Sequence, residues 1–179
     1  IRSLTKNKKI INKIDEILDM SIVIDDQTVE TLKSLPKGDL KGLLYYKTAI
    51  SNKKKINIVY EISESVTNKL KKINKNKTRE LCILLGIYLD NAIEAAEKSK
   101  DKNVVLEIYE INKELNFVIS NTYEKLLPIK NMNRKNFTTK GGNHGRGLYY
   151  ANKIIKKHKW INKDQMFLNN YFIQKLIIK

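Results

Sequence analysis

The chain is poor in the residues that staple or break structure: one cysteine, two prolines, seven glycines, two histidines and one tryptophan in 179 residues. With Cys82 alone, no intramolecular disulfide can form, and a cysteine-built metal site lacks its ligands. No apolar run reaches the roughly 18 to 20 residues that span a bilayer, and no secretory signal opens the sequence. The start at Ile1 suggests a piece of a longer chain. Acidic side chains are scarce as well, 19 against 35 basic ones, which leaves a formal charge of +16. At 41 % hydrophobic residues the chain can still bury a core, which excludes wholesale disorder.

The positive charge invites a nucleic-acid reading, but its composition argues against one. Lysine supplies 31 of the 35 basic residues, beside 20 asparagines and 25 isoleucines. All three have A/T-rich codons, so the bias needs no selection for a basic surface. Arginine, the better residue for bidentate phosphate and base contacts, occurs only at Arg2, Arg79, Arg134 and Arg146. The densest basic stretch, Lys69 to Arg79, has no interleaved aromatic to stack on bases, and it reads as a solvated loop. No nucleic-acid partner is expected.

Hydrophobic periodicity divides the chain near residue 55. Upstream, Ile10, Ile11, Ile14, Ile17 and Leu18 recur at helical spacing over 6–20. After Pro36 and Gly38, Asp39 can cap a second helix whose stripe is Leu40, Leu43, Leu44, the stem of Lys47, and Ile50. The pair reads as a helical hairpin, packed either on a partner chain or on its own domain. Downstream, Ile56, Ile58, Tyr60 and Ile62 alternate as a half-buried strand. Then come a helix from Arg79, preceded by Thr78, to about Lys98, and strands over 104–111 and 115–120. A long polar segment covers 123–144, followed by a helix over 147–157. A hairpin over 165–168 and 171–178, turned at Asn169-Asn170, closes the chain. The order predicts an α+β domain, helices layered on a mixed, largely antiparallel sheet. Trp160 and the pair Tyr45-Tyr46 read as packing residues.

Two segments stand out chemically. Leu81 to Leu89 is apolar on nearly every side, so its helix must be largely buried, yet it runs directly into Asp90-Asn91-Ala92-Ile93-Glu94. Asp90 and Asn91 lie four and three residues before Glu94, which gathers the polar groups on one side. Either the helix emerges into solvent there, or these oxygens meet a cation and a nucleotide. The second segment, Thr138 to Leu148, places Gly141, Gly142, Gly145 and Gly147 just before a helix, with Lys140, His144 and Arg146 among them. Such a loop lets backbone N–H groups approach phosphate oxygens at the helix's positive end. A flexible connector gives the same pattern, and neither the P-loop nor the dinucleotide-binding fingerprint is present.

Taken together, the Leu89-Asp90-Asn91-Ala92-Ile93-Glu94-Ala95 helix, Ile119-Ser120-Asn121-Thr122 ending a strand, and Lys140 through Leu148 resemble a known order of motifs. It is that of the superfamily of gyrase, heat-shock chaperone, histidine kinase and mismatch-repair ATPases. The segments are most similar to the catalytic domain of sensor histidine kinases of the accessory-gene-regulator, quorum-sensing type. Phe172-Ile173-Gln174-Lys175 resembles that family's last strand. The resemblance covers residues 55–179 and implies a two-layer α/β sandwich, the Bergerat ATP-binding fold. Residues 1–54 would then be part of the dimerisation and phosphoacceptor helices.

The resemblance further implies ATP and Mg²⁺ as ligands. Asn91 would hold the Mg²⁺, with Asp90 and Glu94 as polar support. Asn121, where many relatives carry Asp, would accept a hydrogen bond from the adenine amino group. Lys140, Gly142, His144, Gly145, Arg146, Gly147 and Leu148 would hold the phosphates, and residues 124–144 would form a lid that closes over the nucleotide. Partners implied are a phosphoacceptor histidine of the same or the partner protomer, a response regulator, and a second copy in a homodimer. The setting implied is the cytoplasmic side of a membrane-anchored bacterial sensor.

The chain departs from the family pattern at Thr122 and Tyr123, where glycines are usual, and at Tyr149, where a third glycine is common. Ile87 stands four residues before Asn91, where hydrolysing relatives carry a water-activating Glu, so transfer fits better than hydrolysis. Of the two histidines, His144 lies in the glycine loop and His158 in a lysine-rich helix end, where it reads as solvated. The phosphoacceptor is therefore expected upstream of Ile1. A nucleotide-binding scaffold without transfer and a basic nucleic-acid module are the competing classes.

Overall fold

The computed structural model describes residues 24–125 and 146–179. The helix expected over 6–20 and most of the segment 124–144 lie outside the described residues. In chain order the elements are α1 (Asp26–Lys33), α2 (Asp39–Lys53), β1 (Asn57–Ile62), α3 (Val66–Lys72), α4 (Lys75–Lys98), β2 (Asn103–Ile111) and β3 (Glu114–Thr122). They are followed by α5 (Arg146–Lys157), β4 (Ile161–Leu168) and β5 (Tyr171–Ile178).

The strands form one sheet in the order β1-β2-β3-β5-β4. Only β1 and β2 are parallel, joined by the crossover through α3 and α4; every other neighbouring pair is antiparallel. Both hairpins turn on two residues with positive φ, Asn112 and Lys113 (52° and 68°), then Asn169 and Asn170 (48° and 65°). Two-residue turns of this hand match the twist of the strands they join.

Alternation along each strand sends one set of side chains toward the helices. The register gives three rows across the sheet: Ile58-Val104-Asn121-Phe172-Phe167, Tyr60-Leu106-Ile119-Gln174-Gln165, and Ile62-Ile108-Phe117-Leu176-Lys163. Against these rows α4 packs Leu81, Leu84, Leu85, Tyr88, Leu89, Ala92 and Ile93, all buried. Leu32, Leu35, Leu40 and Leu44 of the first two helices join the same core. Within the described residues, α1 and α2 therefore pack on the domain that follows them.

Three expectations need correction. Lys69 to Arg79 is not a loop: it covers the end of α3 and the start of α4, which begins at Lys75 rather than Arg79. The Asn74 carboxamide caps α4 by accepting from the Lys77 N–H at 2.9 Å, a start signal hidden among lysines. Asp39 does not cap α2; Gly38, at φ 141°, holds that place with no side-chain hydrogen bond, and Asp39 instead lies in the first turn. The structure also adds a helix that the sequence reading did not place, α1, capped by Asp25, whose Oδ1 accepts from the Thr28 N–H at 2.8 Å.

Candidate functional site

The turn of α4 that carries Asn91 is half in and half out of the core. Ala92 and Ile93 are buried, Asn91 and Glu94 are half-buried, and Asp90 is exposed. Asn91 Nδ2 donates to the Ile87 carbonyl at 2.8 Å. That bond fixes the carboxamide and leaves Oδ1 as a neutral oxygen donor, the ligand type that suits Mg²⁺. Asp90 meets a residue the sequence placed only as an apolar stem. Lys47 of α2 is buried, and its Nζ donates to Asp90 Oδ1 at 2.5 Å. Helical periodicity located the stem of Lys47, but nothing local signalled an acid 43 residues away.

Asn121 occupies the first core-facing row, between Val104 and Phe172, and is 1 % exposed. Its Nδ2 donates to the Thr122 carbonyl at 2.9 Å, whereas among the described residues its Oδ1 accepts nothing. Buried carbonyl oxygens are rarely left unpaired, because their desolvation is not returned. The bond on Nδ2 also fixes which end of the amide faces the core. The site thus presents a buried acceptor with room in its chemistry for one N–H donor.

The family departures at 122 and 123 have structural partners. The Thr122 hydroxyl lies 2.6 Å from Ser99 Oγ, just past α4, and accepts from the Asn103 N–H at 3.0 Å. It ties the end of β3 to the end of α4 and the start of β2. Tyr123 packs edge-on against Phe167 at 5.1 Å, and Phe167 in turn meets Phe172 at 4.9 Å. Tyr149 is 40 % exposed on α5.

Of the glycine-loop residues, Lys140, Gly142, His144 and Gly145 lie outside the described residues. Arg146 opens α5, followed by Gly147 and Leu148. Leu148 packs against the core, and a Cβ at Gly147 would stand 3.3 Å from Ile87 Cγ2. The start of α5 thus approaches α4 one turn before Asn91. The N-terminal, positive end of α5 therefore lies beside the turn of α4 that precedes Asn91.

His158 is not the solvated residue expected. Its Nε2 is 2.9 Å from Glu80 Oε1, and its ring lies 5.5 Å from that of Trp160. Trp160 packs against the core as expected, and Lys77 Nζ stands 5.2 Å from its ring centre. Among the described residues, no group of three or more His, Cys, Asp or Glu side chains could hold a metal ion. No helix among them is long and apolar enough to cross a membrane.

The fold has solved counterparts. The catalytic domain of histidine kinase ThkA, nucleotide-free, superposes with a TM-score of 0.59 at 17 % identity, over 79 % of this chain and 92 % of that one. The mycobacterial sensor histidine kinase MprB gives 0.54 at 14 % identity, over 79 % and 94 %. The Acinetobacter baumannii histidine kinase AdeS gives 0.53 at 12 %, over 99 % and 96 %. At these identities the likeness is one of fold, the α+β architecture of histidine kinase catalytic domains. No curated protein matches the sequence. The GHKL domain family model matches residues 76–179, from the first turn of α4 to the last residue, and on that match over more than half its length the chain belongs to the GHKL domain family.

Proposed function

We propose that this chain binds Mg-ATP and passes the γ-phosphoryl group to a histidine outside the described residues, as the catalytic part of a two-component sensor kinase of the accessory-gene-regulator type. The observation that carries the reading is the Asn121 carboxamide, buried, fixed by its Nδ2, and with an Oδ1 that lacks a donor among the described residues. An adenine 6-amino group is such a donor; guanine presents a carbonyl at that position and would leave two acceptors facing each other.

Asn91 fits a Mg²⁺ ligand, since its nitrogen is engaged by the Ile87 carbonyl while no described residue donates to its oxygen. With no acidic cluster beside it among the described residues, one protein oxygen would share the ion with phosphate oxygens and water, a common arrangement for Mg²⁺. When bound, the ion supplies charge neutralisation on the phosphates. The start of α5 adds N–H groups, and Lys140 and His144 from the preceding segment, with Arg146 at the first position of α5, supply further donors. In the transfer, a histidine nitrogen bonds to the γ-phosphorus as the bond to the β-phosphate oxygen breaks and ADP leaves. Ile87, where a water-activating carboxylate would stand, offers only its backbone carbonyl to Asn91, which favours transfer over hydrolysis. His158, already engaged by Glu80, is not placed as the acceptor. Residues 1–54 are the tail of the dimerisation helices in this reading, and a response regulator and a second protomer complete the system.

Calorimetry with a non-hydrolysable ATP analogue tests it. Submillimolar binding strengthened by Mg²⁺ is expected, with the Mg²⁺-dependent part lost in Asn91→Ala. No binding at millimolar ligand overturns the reading. Radiolabel transfer to a hairpin fragment bearing a phosphoacceptor histidine then separates a kinase from a nucleotide-binding scaffold.

A further inference from the structure

A lysine buried to 5 % side-chain exposure is costly unless its charge is answered, and Lys47 is answered by one acid, Asp90. Methionine would fill the same space between α2 and α4 without that cost. Packing alone therefore does not account for an ammonium at this position. Its partner suggests what does. Asp90 directly precedes Asn91, and its side chain is 55 % exposed, so it needs no lysine for its own solvation. An unneutralised carboxylate beside Asn91 would, however, repel the phosphates that Asn91 is read to meet. One turn before this pair on each helix, α2 and α4 are also in contact, with Leu43 Cδ1 3.8 Å from where a Cβ on Gly86 would lie.

We propose that Lys47 is a positioning residue of the nucleotide site, which acts through Asp90: it holds and neutralises that carboxylate so that a polyphosphate can approach the Asn91 turn. The inference rests on the nucleotide-binding reading above. It also gives α2 a direct bearing on the site, because any displacement of α2 from α4 withdraws the neutralising charge.

The test measures dissociation constants of the full chain for ATP, ADP and AMP in EDTA at low ionic strength, by calorimetry. Lys47→Met, whose folding is checked by its melting transition, is expected to weaken ATP about 3- to 10-fold, ADP less and AMP least, with the differences shrinking at 0.5 M salt. Adding Asp90→Asn to Lys47→Met is expected to restore the affinity, since both charges are then gone. A merely structural lysine predicts a uniform loss across the three nucleotides that Asp90→Asn does not recover. That result, or an unchanged Lys47→Met, overturns the inference while leaving the nucleotide reading intact. Failure of the native chain to bind any nucleotide overturns both. Should Lys47→Met not fold, Lys47→Gln is measured with and without Asp90→Asn, against the same outcomes.

Discussion

Gly147 and Ile87 are in near contact: a Cβ on the glycine would meet Ile87 Cγ2 at 3.3 Å, closer than most such contacts in folded chains. The glycine therefore sets how closely the first turn of α5 approaches α4, one turn before Asn91. Gly147→Ala brings two opposed effects. Helix propensity favours it by about 1 kcal/mol, while Ile87 must yield by a few tenths of an ångström. The expected outcome is a stability within about 1 kcal/mol of the parent and a measurably weaker Mg-nucleotide affinity. Ile87→Leu, which moves the branch one carbon outward, should recover the affinity. Calorimetry on the two single variants and the double variant decides it; additive losses would exclude the contact as the cause.

Replacing Asn121 tests the buried acceptor. Asn121→Leu removes an unpaired oxygen and one hydrogen bond together, so thermal stability is expected to change little. ATP affinity should nonetheless fall by at least about tenfold, and the preference for ATP over GTP should disappear. An unaltered preference in a folded variant would remove Asn121 from base recognition.

Thr122 should behave in the opposite way. Its hydroxyl joins Ser99, past the end of α4, to the Asn103 N–H at the start of β2, in a buried setting. Thr122→Val keeps the shape, strands the Asn103 N–H and removes one of the Ser99 hydroxyl's partners, at a cost of about 2 kcal/mol, or a fall in Tm of roughly 4–8 °C. Nucleotide affinity measured well below the transition should stay within twofold. A large loss of affinity without loss of Tm would return Thr122 to the binding pocket.

Much of this architecture was readable because it rests on local patterns. The two-residue turn at Asn169-Asn170, the alternating strands and the apolar run from Leu81 to Leu89 each state their own geometry. What escaped were features whose signal is either faint or distant. Asn74 capping α4 sits in a lysine-rich stretch that looks like solvated loop. The burial of the Lys47 ammonium depends on an acid 43 residues on, and that of His158 on Glu80, 78 residues before it. Asn121 was a candidate only through the resemblance of the Asn91 helix, the end of its strand and the glycine loop to a known order of motifs. That its nitrogen is engaged and its oxygen is not depends on the fold.

The single thiol provides a probe of the α2–α4 contact on which Lys47 depends. Cys82 is half-buried on α4, and burial, with a smaller contribution from the Asp39 carboxylate at the start of α2, pushes its pKa up to about 11. At pH 8 only about one thiol in a thousand would be ionised, against roughly a quarter for an ordinary cysteine. Labelling by a thiol-disulfide reagent should therefore be slow at pH 8 and rise about tenfold per pH unit while the fold persists. The sign for stability follows from the same shift. A thiol pKa raised in the folded chain contributes stability that is complete below the unfolded value near 8.5 and declines as pH rises toward 11. If α2 leaves α4, Cys82 loses both its cover and the neighbouring carboxylate, and labelling at pH 8 should accelerate. Lys47→Glu, which sets two carboxylates against each other at the α2–α4 contact, is the variant expected to do this. Native labelling at pH 8 as fast as that of the guanidinium-unfolded chain would show that α2 does not cover the thiol in solution.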